Sequence, residues 1–154
     1  MLVHIPVHSA QMINENFRQA LDILRQEFAE RLSISETLRQ QHGHTTTWIE
    51  NQPPDAVVFP NSTAEVSRIV SVAARFDMPV IGFGTGTSLE GHINAPNGGI
   101  SIDFSQMDSV LKVNSEDMDV VVQPGVTRKS LNAHLRDTGL FFPIDPGADA
   151  SLGG

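Results

Sequence analysis

The residues best suited to chemistry lie in Ile81-Gly82-Phe83-Gly84-Thr85-Gly86-Thr87-Ser88-Leu89-Glu90-Gly91-His92. Glycines at alternate positions follow a short apolar run, and Thr85, Thr87 and Ser88 add hydroxyl donors without charge. Glycine lets the backbone turn sharply and aim successive N–H groups into one concavity that suits an anion, most often a phosphate. Two known phosphate loops do not fit. A Walker A loop needs Lys and Ser/Thr after its last glycine, but His92 and Ile93 follow Gly91. A dinucleotide fingerprint counted from Gly82 or Gly84 would put its third glycine at Thr87 or Leu89, so both registers fail. The segment reads as a diphosphate cradle made of backbone; the alternative is a glycine-rich surface turn.

Composition narrows the partners. A chain of 154 residues is long enough for one ordinary domain. Its net charge of −8 and lack of a Lys/Arg cluster argue against nucleic acid. With no cysteine there is no disulfide, Cys-based zinc site or cysteinyl flavin bond. The first residues, Met1 to His8, have neither a basic n-region nor a long apolar h-region, and no run is long enough to span a bilayer. The expected compartment is the cytoplasm. The six histidines show no metal-ligand spacing, and no metal site is assigned.

The elements that must position the glycine loop are legible as patterns. Ser9 to Leu32 has helical periodicity, with Ile13, Phe17, Ala20, Leu21, Leu24, Phe28 and Leu32 on one stripe. Ser33-Ile34-Ser35-Glu36 has the form of a capping box and predicts a second short helix, stopped by Gly43. Thr45 to Pro54 reads as a loop in which Trp48 packs inward. Ala56–Phe59 predicts a strand, Ser62 to Glu65 another capping box, and Val66, Ile69, Val70 and Ala73 a buried helix face. The strand Val80–Ile81 then delivers the loop, completing a βαβ unit with parallel pairing. Ile100–Phe104 alternates with period two and is expected in an antiparallel sheet with Val110–Val113 and Val120–Val122. Thr127 is a helix N-cap, Leu131 and Leu135 repeat at helical spacing, and Gly139 suits the helix end. The fold class is α+β: a helical leader over residues 1–52, then a module over 53–154 with a βαβ parallel layer joined to an antiparallel sheet.

Several segments together carry a family resemblance. They are Pro53 to Pro60, Glu65-Val66, Gly82 to His92, Gly98 to Asp103, Val120 to Val126, and Phe142 to Gly154. In this order they resemble the FAD-linked oxidases of the vanillyl-alcohol oxidase and p-cresol methylhydroxylase type. The wording is most similar to cytochrome-linked D-lactate dehydrogenases and glycolate-oxidase-like relatives. The resemblance runs from about Ser33 to the last residue. It implies non-covalent FAD, with Gly82, Phe83, Gly84, Thr85, Gly86, Thr87 and Ser88 at the pyrophosphate and Ile81, Gly91 and His92 beside it. It puts Pro124, Gly125 and Val126 near the adenine and ribose. It puts Pro146, Gly147, Ala148, Ser151, Gly153 and Gly154 along the ribityl chain and flavin ring.

The implied activity is hydride transfer from the α-carbon of a D-2-hydroxy acid to flavin N5. No catalytic residue can be assigned. The resemblance implies a C-terminal region that supplies the rest of the flavin domain, the substrate cap, an arginine for the carboxylate and the histidines of the chemistry. These residues alone are therefore expected to bind FAD weakly and to leave D-lactate unoxidised. Uncovered apolar sheet surface favours self-association or a partner chain. The competing expectations are a non-catalytic flavin-binding subunit and a domain fragment.

Overall fold

The computed structural model describes residues 15–144 and 147–153. A four-stranded sheet lies at its centre, in the order β1-β2-β4-β3. Its strands are β1 (Leu32–Ser33), β2 (Ala56–Val58), β3 (Val80–Phe83) and β4 (Ile100–Asp103). β2 and β3 each pair parallel with β4, and β1 pairs antiparallel with β2. The helices are α1 (Glu15–Phe28), α2 (Glu36–Gly43), α3 (Thr63–Arg75) and α4 (Arg128–Leu135). A separate antiparallel hairpin joins β5 (Val110–Asn114) to β6 (Asp119–Val122).

The expected βαβ unit is present, but β4 corrects its partner. Ile100–Phe104 was expected in the antiparallel sheet; Ile100–Asp103 is instead the central parallel strand. Its alternation marks two different covers rather than a wet face. Ile100 and Ile102 enter the main core with α1 and α3, while Ser101 and Asp103 point the other way and are buried too. Central parallel strands are covered on both faces.

The main core gathers Leu21, Leu24 and Phe28 from α1, Leu32 from β1, and Ile69, Val72 and Ala73 from α3 around Ala56, Val58, Ile100 and Ile102. The leader thus packs on the sheet. α1 ends earlier than the periodicity implied. A 3-10 turn over Ala29–Arg31 with Ala29 at φ 47° redirects the chain, so Leu32 reaches the core from a strand. The described part of α1 starts at Glu15; the expected start near Ser9 and the stripe residue Ile13 lie outside the described residues. The capping box expected at Ser33 does not form. Ser35 is the N-cap of α2, without a side-chain cap bond, and Ser33 Oγ accepts from the Ser35 N–H at 3.2 Å.

On α3, Ser62 does cap the helix by accepting from Glu65 N–H. Val70, expected to be buried, is 42% exposed, and Val72 fills the core instead. A smaller core unites Val126, Leu131 and Leu135 with Val110, Val113, Val120, Val122 and Phe142. A two-stranded ribbon is marginal alone, and α4 supplies the apolar face that β5 and β6 need. Thr127 caps α4 in a reciprocal box with Ser130, and Gly139 ends the following turn at φ 76°.

A polar contact at the rim of the main core also ties Arg31 to α3. Arg31 makes a two-pronged ion pair with Glu65, at 2.7 and 2.8 Å, and donates to the Phe59 carbonyl. Glu65 also accepts from Asn61 N–H. The Arg31 hydrogen bond, with Asn61 N–H behind it, holds the Glu65 carboxyl down to about 2. The folded value is below the unfolded one, so this stability is complete above pH 4.5 and is lost as pH falls through 2. Glu65→Gln should destabilise the chain by about 1–2 kcal/mol at pH 7 in urea unfolding. The gap between wild type and variant should close toward pH 2. An equal gap at pH 7 and pH 2 would contradict the assignment.

Candidate functional site

The glycine loop leaves β3 at the carboxyl edge of the parallel sheet, where ligands of open α/β sheets usually bind. Its start is tied by pairing of Gly82 with Ile102 and of Phe83 with Asp103. Its far side is held by the leader. Asn94 donates to the carbonyls of Gly43 and Glu50, and Ala95 N–H donates to the Gln52 carbonyl at 2.8 Å. Trp48, in that leader loop, was expected to pack; it is 94% exposed. Its neighbour Ile49 takes the packing place, against Gly91, where a Cβ would stand 2.6 Å from Ile49 Cδ1.

The loop forms one wall of a cleft of about 290 Å³, lined by Gly84, Thr85, Gly86, Thr87, Ser88 and His92. The opposite wall is Ala148, Ala150 and Ser151. Two segments more than fifty residues apart in sequence therefore face one space. Of the remaining candidates, Ile81 is buried within the sheet, Gly82 and Phe83 belong to β3, and Gly91 sits against Ile49. Pro146 and Gly154 lie outside the described residues. Pro124, Gly125 and Val126 are not brought to the cleft wall. Val126 is in the smaller core, and a Cβ on Gly125 would stand 2.2 Å from the Phe104 carbonyl oxygen. They form the backing on which the second wall rests. Ala150, inside the segment Phe142 to Gly154, lines the cleft as well; an alanine carries no chemical signal of its own.

The second wall is hung on the chain before and at the start of α4. Gly153 N–H donates to the Pro124 carbonyl, Leu152 N–H to Val126, and Arg128 N–H to Ala150. Asp149 turns away from the cleft: Oδ1 accepts from Lys129 N–H at 3.1 Å and Oδ2 from the Thr127 hydroxyl. A carboxylate at a helix N-terminus satisfies open N–H groups and the helix dipole. Ser151 Oγ donates to the Gly153 carbonyl at 2.8 Å. It sits where Gly84 lacks a side chain, since a Cβ there would be 2.0 Å from it.

The chemistry of this cleft is that of an anion receptor. Among the described residues its lining holds no carboxylate, in a chain of net charge −8. Among the described residues, no protein acceptor takes the N–H of Thr85, Gly86, Thr87 or Ser88. Gly86 at φ 66° turns the loop, and the hydroxyls of Thr85 and Thr87 lie 3.2 Å apart. Open backbone donors, hydroxyls and a glycine turn fit a diphosphate.

The FAD binding domain family matches residues 54–154. This chain belongs to that family. The FAD binding domain also has close curated relatives. A probable mitochondrial D-lactate dehydrogenase of Danio rerio is 50% identical over 125 residues, covering 81% of this chain and 25% of the relative. A mitochondrial cytochrome D-lactate dehydrogenase of Saccharomyces cerevisiae is 34% identical over 155 residues, covering 99% of this chain and 26% of the relative. The chain thus spans about a quarter of the length of these relatives.

A solved alkyldihydroxyacetonephosphate synthase superposes with TM-score 0.80 at 25% identity, over 89% of this chain and 28% of that one. A p-cresol methylhydroxylase, TM-score 0.72 at 19% identity over 84% and 26% of the two chains, shares the fold. The α+β class with a parallel layer and an antiparallel sheet is thus that of a p-cresol methylhydroxylase-type FAD binding domain, and FAD is its cofactor. Among the described residues, no helix is long and apolar enough to cross a membrane.

Two substitutions separate the two glycine roles. Gly84→Val should push Ser151 off the loop, and Gly86→Val should strain a turn at φ 66° at a cost of about 1–2 kcal/mol. In the FAD-loaded protein both should weaken FAD binding, measured by flavin fluorescence. Wild-type affinity in both variants would refute the cleft as the diphosphate site.

Proposed function

We propose that this chain is the N-terminal flavin-binding module of an FAD-dependent dehydrogenase of D-2-hydroxy acids, of the D-lactate type. The observation that carries the reading is the two-walled cleft, without a carboxylate among its described lining residues and with open amides at Thr85 to Ser88. The D-lactate dehydrogenase names of the relatives support the substrate class.

The amides and hydroxyls of Thr85, Thr87 and Ser88 bind the diphosphate, and Ala148, Ala150 and Ser151 close the opposite side against water. Bound there, FAD supplies a hydride acceptor at N5 for oxidation of the substrate α-carbon. His92 orients the ligand at the mouth of the cleft and forms no covalent bond to it. At about 290 Å³ the cleft is at the small end of small-molecule sites, which run to about 1,000 Å³. It holds the diphosphate region, and the remaining surface of FAD needs walls from elsewhere: a C-terminal substrate domain, a partner chain or a second copy.

A second reading is a non-catalytic flavin-binding subunit serving another chain. Both readings use the same cradle. A cytoplasmic location is proposed with the function, beside relatives whose names place them in mitochondria.

The test compares these residues with a chain extended through the region that the longer relatives contain. FAD binding is followed by fluorescence, and D-lactate oxidation with an artificial acceptor. The 154 residues should bind FAD weakly and show no turnover, and the extended chain should be yellow and bleached by D-lactate. An extended chain that holds FAD but is not bleached, and that supports turnover only with a second protein, favours the subunit reading. Stoichiometric FAD and steady turnover in the short chain would overturn the claim of incompleteness.

A further inference from the structure

The mechanism leaves one buried titratable pair unused. His42 on α2 and Asp103 at the end of β4 are both buried, with His42 Nε2 2.8 Å from Asp103 Oδ2. His42 Nδ1 is 2.9 Å from the Leu38 carbonyl oxygen. That oxygen can only accept, so Nδ1 carries a proton. Burial opposes charge on Asp103, but the hydrogen bonds from His42 and Ser105 outweigh it and hold the carboxyl below its usual range. Both ring nitrogens are thus held, one by the Leu38 carbonyl and one by the Asp103 carboxyl group.

The placement of this pair gives it a task. The His42 ring lies against Phe83, with centroids 4.1 Å apart and planes tilted by 39°. Phe59 meets the same ring edge-on at 6.2 Å. Phe83 is the last residue of β3, and its ring fills the space beneath Gly86: a Cβ there would stand 3.0 Å from Phe83 Cζ. Asp103 pairs with Phe83 in the sheet register. One continuous stack therefore runs from α2 through His42 and Phe83 to the turn of the glycine loop.

We propose that the hydrogen-bonded His42–Asp103 pair is the platform of the diphosphate loop, with His42 a positioning residue that acts through the Phe83 ring on Gly86. This rests on the flavin reading of the cleft. The Leu38 carbonyl and the Asp103 carboxyl group hold the imidazole at one tilt. The imidazole sets the Phe83 ring, and the ring sets the height of Gly86 and so the direction of the neighbouring amides. A buried pair breaks at high cost when one partner is removed, which makes it a rigid support.

The test uses the full chain, with ADP and FAD as probes, followed by amide and imidazole nitrogen magnetic resonance. In wild type, ADP should shift the amides of Thr85 to Ser88, and the ring-nitrogen signals of His42 should move on ADP binding. His42→Gln and Phe83→Leu should each weaken ADP about tenfold. If His42→Gln does not fold, Phe83→Leu and the wild-type ring signals still decide. Unmoved ring signals with wild-type affinity in Phe83→Leu would overturn the positioning role and leave the flavin reading standing. Loop amides that respond to neither ADP nor FAD in wild type would overturn both.

Discussion

The site depends on close approach between backbones. Gly84 admits Ser151, Gly153 admits Pro124, and Gly125 admits the carbonyls of Phe104 and Met107. At each point a Cβ would fall within 3 Å of its neighbour. Real side chains do not tolerate such distances, so these glycines act through the space they leave, while Gly86 acts through its positive φ. Remove that space and the second wall separates from the first. The hydrogen bonds of Leu152 and Gly153 to Val126 and Pro124 then lose the surface they were aligned to.

Charge is arranged around the same constraint. An acidic chain offers an anion site only if its carboxylates are turned aside. Asp149 is next to the cleft, yet its two oxygens are spent on Lys129 N–H and the Thr127 hydroxyl. Asp103 lies under the loop, with Oδ2 bonded to His42 Nε2. Asp55, at the start of β2, accepts from Gly99 N–H at 2.7 Å and is buried with it. Each carboxylate stabilises a turn, a helix end or a ring, and none faces the space between Thr87 and Ser151. Neutral donors then define the cleft.

Much of this was legible in the sequence because it rests on local rules. The caps at Ser62 and Thr127, the hairpin, the helix end at Gly139 and the glycine loop after β3 all follow from spacing. What escaped was decided by tertiary contact. Ser101 and Asp103 look like the wet side of a strand, but both are buried, and His42 of α2 meets Asp103. Trp48 carries the usual signal of a core residue, yet Ile49 takes the contact with Gly91. Leu32 continues the α1 stripe, and only the turn at Ala29 makes it a strand residue. His42 gave no signal, since its partner is sixty-one residues away. Long-range pairs of this kind have no period to read.

The most direct measurement is an experimental structure of the FAD-loaded protein. The account predicts diphosphate oxygens within hydrogen-bond reach of the amides between Thr85 and Ser88, with Ser151 still seated against Gly84. A diphosphate held elsewhere, or a loop and a second wall that no longer touch, would contradict it.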